Sequence, residues 1–246
     1  MDLKVWILSF MNINCSKGLI SAVLVFLLNG PIQASSFKEK FFDDFHKTIL
    51  FYKINQPHFQ RIADDTGLKP SFIFSIVAPE ITQFNMLVNT IQVSTLKVLY
   101  VEKGADYSNF SIGLFQMKPS FVEALEDEVK NFPTLKEKFA NVPISSNDFR
   151  NNRVERIKRM TSMEWQFKYL QLFCEIMKIR YVGKAYRTVN EQLRFVSTAY
   201  NTGFQKPENE IVRMQKVKCF PLMSTTKYNY SEVALAFFME TRFEKH

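Results

Sequence analysis

Few residues in this chain pair a reactive group with surroundings that could tune it. The foremost is Glu80, near the end of FIFSIVAPEITQ, Phe72–Gln83. The run is apolar from Phe72 to Ala78, breaks at Pro79 and then presents one carboxylate. An ionised carboxylate is costly to bury. A carboxyl held there keeps its proton near neutral pH, the state a general acid needs. The same pattern also describes a solvated residue just past a helix end. The histidines, His46, His58 and His246, are scattered, and no cysteine has partners at metal-ligand spacing. The sequence therefore predicts no metal site and no cofactor.

Two short motifs follow Glu80: GLFQMKPS, Gly113–Ser120, and AYNTG, Ala199–Gly203. Taken singly, the first reads as a packed turn and the second as a core tyrosine with its hydroxyl at the surface. Together and in this order they resemble the lysozyme-like lytic transglycosylases of the soluble-lytic-transglycosylase type. That family combines a Glu-Ser and a nearby Phe-Asn, a Gly-Leu-Met-Gln with a Pro-Ser or Pro-Thr, and an Ala-Tyr-Asn-x-Gly. Here the pieces are Glu80 with Phe84-Asn85, then Gly113–Ser120, then Ala199–Gly203. The resemblance spans about Phe72–Gly203.

The resemblance implies a mainly α, lysozyme-like domain with a central buried helix and a substrate groove. It implies cleavage of the β-1,4 bond between N-acetylmuramic acid and N-acetylglucosamine in peptidoglycan, with closure of a 1,6-anhydro ring. Glu80 would act first as acid and then as base. Tyr200 would hydrogen-bond and orient it, Gln116 would contact the sugar, and Phe115 and Met117 would wall the groove. Asn201 would shape the turn that carries Tyr200. The chain departs from the pattern at Ile81, which replaces the Ser after the glutamate, and at Phe115, which replaces Met. A family serine that bonds the acid falls at Tyr107, with Ser108 one residue later. Two other readings stand beside this one. A hydrolytic muramidase of the same fold would need a second carboxylate, for which Glu102 and Asp106 are the candidates. A non-catalytic peptidoglycan-binding protein could keep the groove alone.

Composition sets the frame. The 246 residues, 46% hydrophobic with only 7 glycines, suit one mainly helical domain with a proper core. Residues 1–34 read as a signal peptide: Lys17, the uncharged run Gly18–Leu28, then small residues at Ala34-Ser35-Ser36. An uncleaved anchor is the other reading, since Val5–Met11 is also apolar. Cys15 precedes the apolar run and is badly placed for a lipid anchor. Residues 35–246 would then be a single exported domain, in the periplasm or cell envelope, without stable membrane insertion. Export permits a Cys174–Cys219 disulfide; two free thiols fit equally well. The net charge of +8 favours anionic polymers over nucleic acid, whose readers need a basic stripe interleaved with stacking groups. The expected partner is a peptidoglycan strand and the expected state a monomer. Arg153, Arg156 and Arg159 recur every three residues, as on one exposed helix face, either solvated or facing an acidic substrate.

The elements that would position these groups follow from periodicity. Ser36–Gln56 predicts an amphipathic helix stopped by Pro57. Thr82–Asn85 predicts a loop, and Thr90–Tyr100 a helix capped by Gly104. Capping boxes at Ser120–Glu123, Thr161–Glu164 and Thr188–Glu191 predict three helix starts. The second opens a long helix expected at the centre of the bundle. Tyr230–Arg242 predicts a closing helix.

Overall fold

A computed structural model describes residues 37–221 and 224–243. The stretch expected to be a signal peptide, with its expected cleavage point, lies outside the described residues, as does Cys15. The fold is mainly helical, as expected. In chain order the helices are α1 (Phe42–Ile54), α2 (Gln56–Thr66), α3 (Pro70–Gln83), α4 (Met86–Lys103), α5 (Pro119–Asn131), α6 (Pro133–Lys138), α7 (Phe149–Thr161), α8 (Met163–Arg180), α9 (Val189–Thr202) and α10 (Glu208–Met214). A short antiparallel pair, β1 (Lys218–Phe220) and β2 (Tyr228–Asn229), leads into α11 (Tyr230–Thr241). No single described helix is long and apolar enough to cross a membrane.

The hub is α3. Pro70 starts it, where a missing N–H costs nothing. Every residue from Ser71 to Pro79 is buried, which its nearly unbroken apolar sequence requires. Around it pack α1, α2, α9 and α11. Aromatic rings fill the seams: Phe45 stacks on Phe237 at 4.2 Å and Tyr52 on Phe74 at 4.6 Å. The long α8, expected at the centre, instead packs on α2, α5 and α7. Its buried face, including Tyr169, Leu172, Phe173 and Ile176, closes a neighbouring part of the same core.

Several boundaries differ from expectation for local reasons. The first helix ends at Ile54, just short of the expected Gln56, and Pro57 sits in the first turn of α2. Pro79 does not break α3, which continues to Gln83. One lost backbone hydrogen bond is tolerated there because packing on all sides holds the helix. Of the three capping boxes, only Thr188 caps: its hydroxyl accepts from Glu191 N at 3.1 Å, while Glu191 accepts from Arg187 N at 2.9 Å. Pro119 opens α5 two residues early, so Ser120 falls inside the first turn and bonds Asn109 instead. Ser162 holds the cap position of α8, which leaves Thr161 as the last residue of α7.

The arginine row does not form an exposed face. Arg156 is 9% exposed and bonds Glu126 through both Nε and Nη2, Glu123 at 3.1 Å and the Tyr100 hydroxyl at 2.6 Å. Arg153 donates to Val101 O, and Arg159 donates to Val142 O beneath the Trp165 ring. Three residues per repeat is close enough to a helical turn to turn all three inward.

Candidate active site

Glu80 lies in the last turn of α3. Unpaired helix carbonyls gather there and disfavour negative charge. The residue keeps part of its surface accessible, yet its carboxyl is surrounded by protein. Burial pushes the carboxyl up to about 8, against the opposing charge of Lys118 and a hydrogen bond with the Tyr230 hydroxyl. At neutral pH Glu80 therefore carries its proton. Tyr230 opens α11, is itself buried, and also donates to Ile76 O at 3.0 Å. Nothing in the sequence pattern marks Tyr230 as a site residue; it reads as the first residue of an apolar closing helix.

The loop between α4 and α5 approaches from another side. Ile112 and Met117 exchange backbone hydrogen bonds at 2.9 and 3.0 Å, closing a tight turn over Gly113–Gln116. Gly113 has φ +75°, and a Cβ there would lie 2.3 Å from Met160 O, so only glycine fits. Three helices pin this turn by its backbone. Asn89 of α4 accepts from Gly113 N at 2.8 Å, Gln166 of α8 accepts from Phe115 N at 2.8 Å, and Tyr200 of α9 donates to Phe115 O at 2.7 Å. Asn89 and Gln166 were not legible from sequence, because an amide on a helix face carries no spacing signal of its own.

The candidate residues sort into three groups in the structure. Gln116 is partly exposed, with backbone φ 48° and its side-chain amide donating to Gly113 O at 2.7 Å. Asn201, in the last turn of α9, is also partly exposed and hydrogen-bonds the Cys219 thiol. These two and Lys118 present polar groups at the surface. Phe115 and Met117 do not line a groove: both are fully buried, and Phe115 packs edge-on against Phe167 at 5.1 Å. Their alternation with Gln116 across the turn points the two apolar side chains inward. Burial raises the Tyr200 phenol, and the nearby Glu80 raises it further, but its hydroxyl bonds the turn and not the acid. The partner of the acid is Tyr230. Ser108 is buried and its hydroxyl has no hydrogen-bond partner among the described residues.

The other carboxylates are engaged elsewhere. Glu102 pairs with Arg150, and Asp106 is exposed. No carboxylate figures among the groups that shift Glu80. Among the described residues no cluster of His, Cys, Asp and Glu could hold a metal. Cys174 and Cys219 are both free. Two cavities open elsewhere, one between α3, α8 and α9 and one between α4 and α7, and Glu80 lines neither.

The chain matches no family model, no curated protein and no solved structure. A functional reading therefore rests on the residues and their geometry.

What the arrangement can do is bounded by its groups. One protonated carboxyl, one cation and two buried phenols lie within electrostatic reach of the same acid. That set can deliver a proton and take one back. It offers no thiolate or imidazole base.

Proposed function

We propose that this chain is a lysozyme-like lytic transglycosylase acting on peptidoglycan in the cell envelope. The observation that carries the reading is Glu80, a carboxyl enclosed by protein and protonated at neutral pH, on a partly exposed residue, with no second carboxylate acting on it. A glycosidase that uses water or a covalent intermediate needs a pair of carboxyl groups flanking the bond. An enzyme whose substrate supplies its own nucleophile needs one.

The steps follow from that single acid. Glu80 donates its proton to the glycosidic oxygen as the bond from the muramoyl C1 breaks. The resulting carboxylate then removes the proton from the muramoyl C6 hydroxyl. O6 attacks C1, the 1,6-anhydro ring closes, and Glu80 is left protonated for the next turn. No water is consumed. Lys118 and the Tyr230 hydroxyl stabilise the transient carboxylate, which otherwise lies in a site hostile to charge. Gln116, Lys118 and Asn201 form the polar rim available to the sugars. Acid–base assistance of this kind contributes about 10²–10⁴-fold.

Digestion of purified peptidoglycan followed by mass spectrometry of the released muropeptides tests the reading. Anhydro ends are expected. Reducing ends would make the protein a hydrolase, and no release would make it a binding protein. The Glu80→Gln variant should fold and release nothing.

A further inference from the structure

A cavity of about 260 Å³ opens at the end of α3 opposite Glu80. Phe72 and Glu80 are eight residues apart, about 12 Å along the helix axis. The floor is Phe72, Cys174, Met177 and Val196, all buried. The mouth carries Lys178, Tyr181, Lys184, Tyr186 and Gln192. The two parts differ in chemistry: the floor offers only hydrocarbon and a thiol, and the mouth is almost all N–H and O–H donors.

We infer that this cavity binds a small amphipathic monocarboxylate, with its alkyl part on the Phe72–Val196 floor and its carboxylate at Lys178, Lys184 and the two tyrosines. The mouth is not free of acids. Glu175 lies 3.5 Å from Lys178 and also pairs with Lys138. Glu208 pairs with Lys184, and Glu191 accepts from Arg187 N. Each of these carboxylates is already engaged, and each ammonium has three protons to place. Lys178 spends one on Thr66 O at 2.6 Å. Burial also holds the Tyr181 and Tyr186 phenols protonated, as donors. The volume admits roughly nine water-sized groups at about 30 Å³ each. That suits a chain of about eight carbons whose head stays at the mouth. The inference is independent of the chemistry at Glu80.

Calorimetric titration of the full chain with octanoate, octylamine and octanol tests it. Octanoate should bind at least tenfold more tightly than octylamine, with octanol between them. Lys184→Gln should weaken octanoate at least threefold, leave octanol unchanged and leave the melting temperature within a degree or two. Val196→Trp, which fills the floor, should abolish binding of octanoate and octanol alike. Failure of octanoate to bind, equal binding of all three probes, or octanoate binding untouched by Lys184→Gln would each overturn the assignment. Lys184 is partly exposed at the cavity mouth, so the test stands on its variant even if the tryptophan variant does not fold.

Discussion

Glu80 links stability to pH in a direction opposite to an ordinary surface carboxylate. Unfolded, its carboxyl titrates near 4.5; folded, it titrates near 8. Between those values the folded chain holds a proton that the unfolded chain releases, so stability falls as pH rises through that window. Glu80→Gln should therefore leave stability unchanged below pH 4. It should add about 2–4 kcal/mol at pH 9, a figure discounted for the residue's partial exposure. Urea unfolding at several pH values measures this; a variant gaining nothing at pH 9 would mean that the acid titrates normally. Lys118 opposes the upward shift, so Lys118→Met should move the Glu80 titration, and any alkaline limb of activity, to higher pH. Carboxyl NMR of a labelled sample reads that shift directly. Glu80 was legible in the sequence because a lone carboxylate after an apolar run is unusual. Tyr230 was not, because its hydroxyl meets Ile76 across 154 residues, and no local pattern records a contact that distant.

At the scale of elements, the turn over Gly113–Gln116 shows why a motif can be structural and functional together. Its glycine is fixed by the approach of Met160 O and its Phe115 backbone by Gln166 and Tyr200, while Gln116 stays partly exposed. Gly113→Ala should destabilise the fold by about 3 kcal/mol or more, since both the left-handed φ and the carbonyl contact oppose it. Gly67 has a similar φ of +73° but open space around it, and Gly67→Ala should cost only about 1 kcal/mol. Thermal melts of the two variants separate backbone strain from collision; equal losses would refute the contact with Met160. Helix positions were largely readable from periodicity, and α11 begins at the expected residue. Starts were less so, because a proline or a competing serine one residue away decides which residue holds the cap position. The course of α3 through Pro79 was hidden for a different reason. Burial on every side outweighs one missing hydrogen bond, and burial is not a local property.

At the scale of the molecule, the charged residues divide between surface and interior in a way that composition conceals. The arginine row of α7 reads as solvated in sequence, yet Arg156 joins α7 to α5 and α4 through Glu126, Glu123 and Tyr100, with the Tyr169 hydroxyl of α8 donating to Glu126 at 3.1 Å. Four helices thus meet around the Arg156–Glu126 pair. A buried pair of this kind adds little net stability, but breaking it leaves a charge without a partner. Arg156→Met should therefore destabilise by about 3–5 kcal/mol, because Glu126, 2% exposed, would keep only Tyr169 as a donor. Replacing both residues, Arg156→Met with Glu126→Leu, should recover most of that loss, since hydrocarbon of similar volume fills the gap without an orphaned charge. Denaturant midpoints of the two single variants, the double variant and the parent chain complete the cycle. A double variant as unstable as Arg156→Met alone would show that the four helices depend on the ion pair itself and not on the volume it occupies.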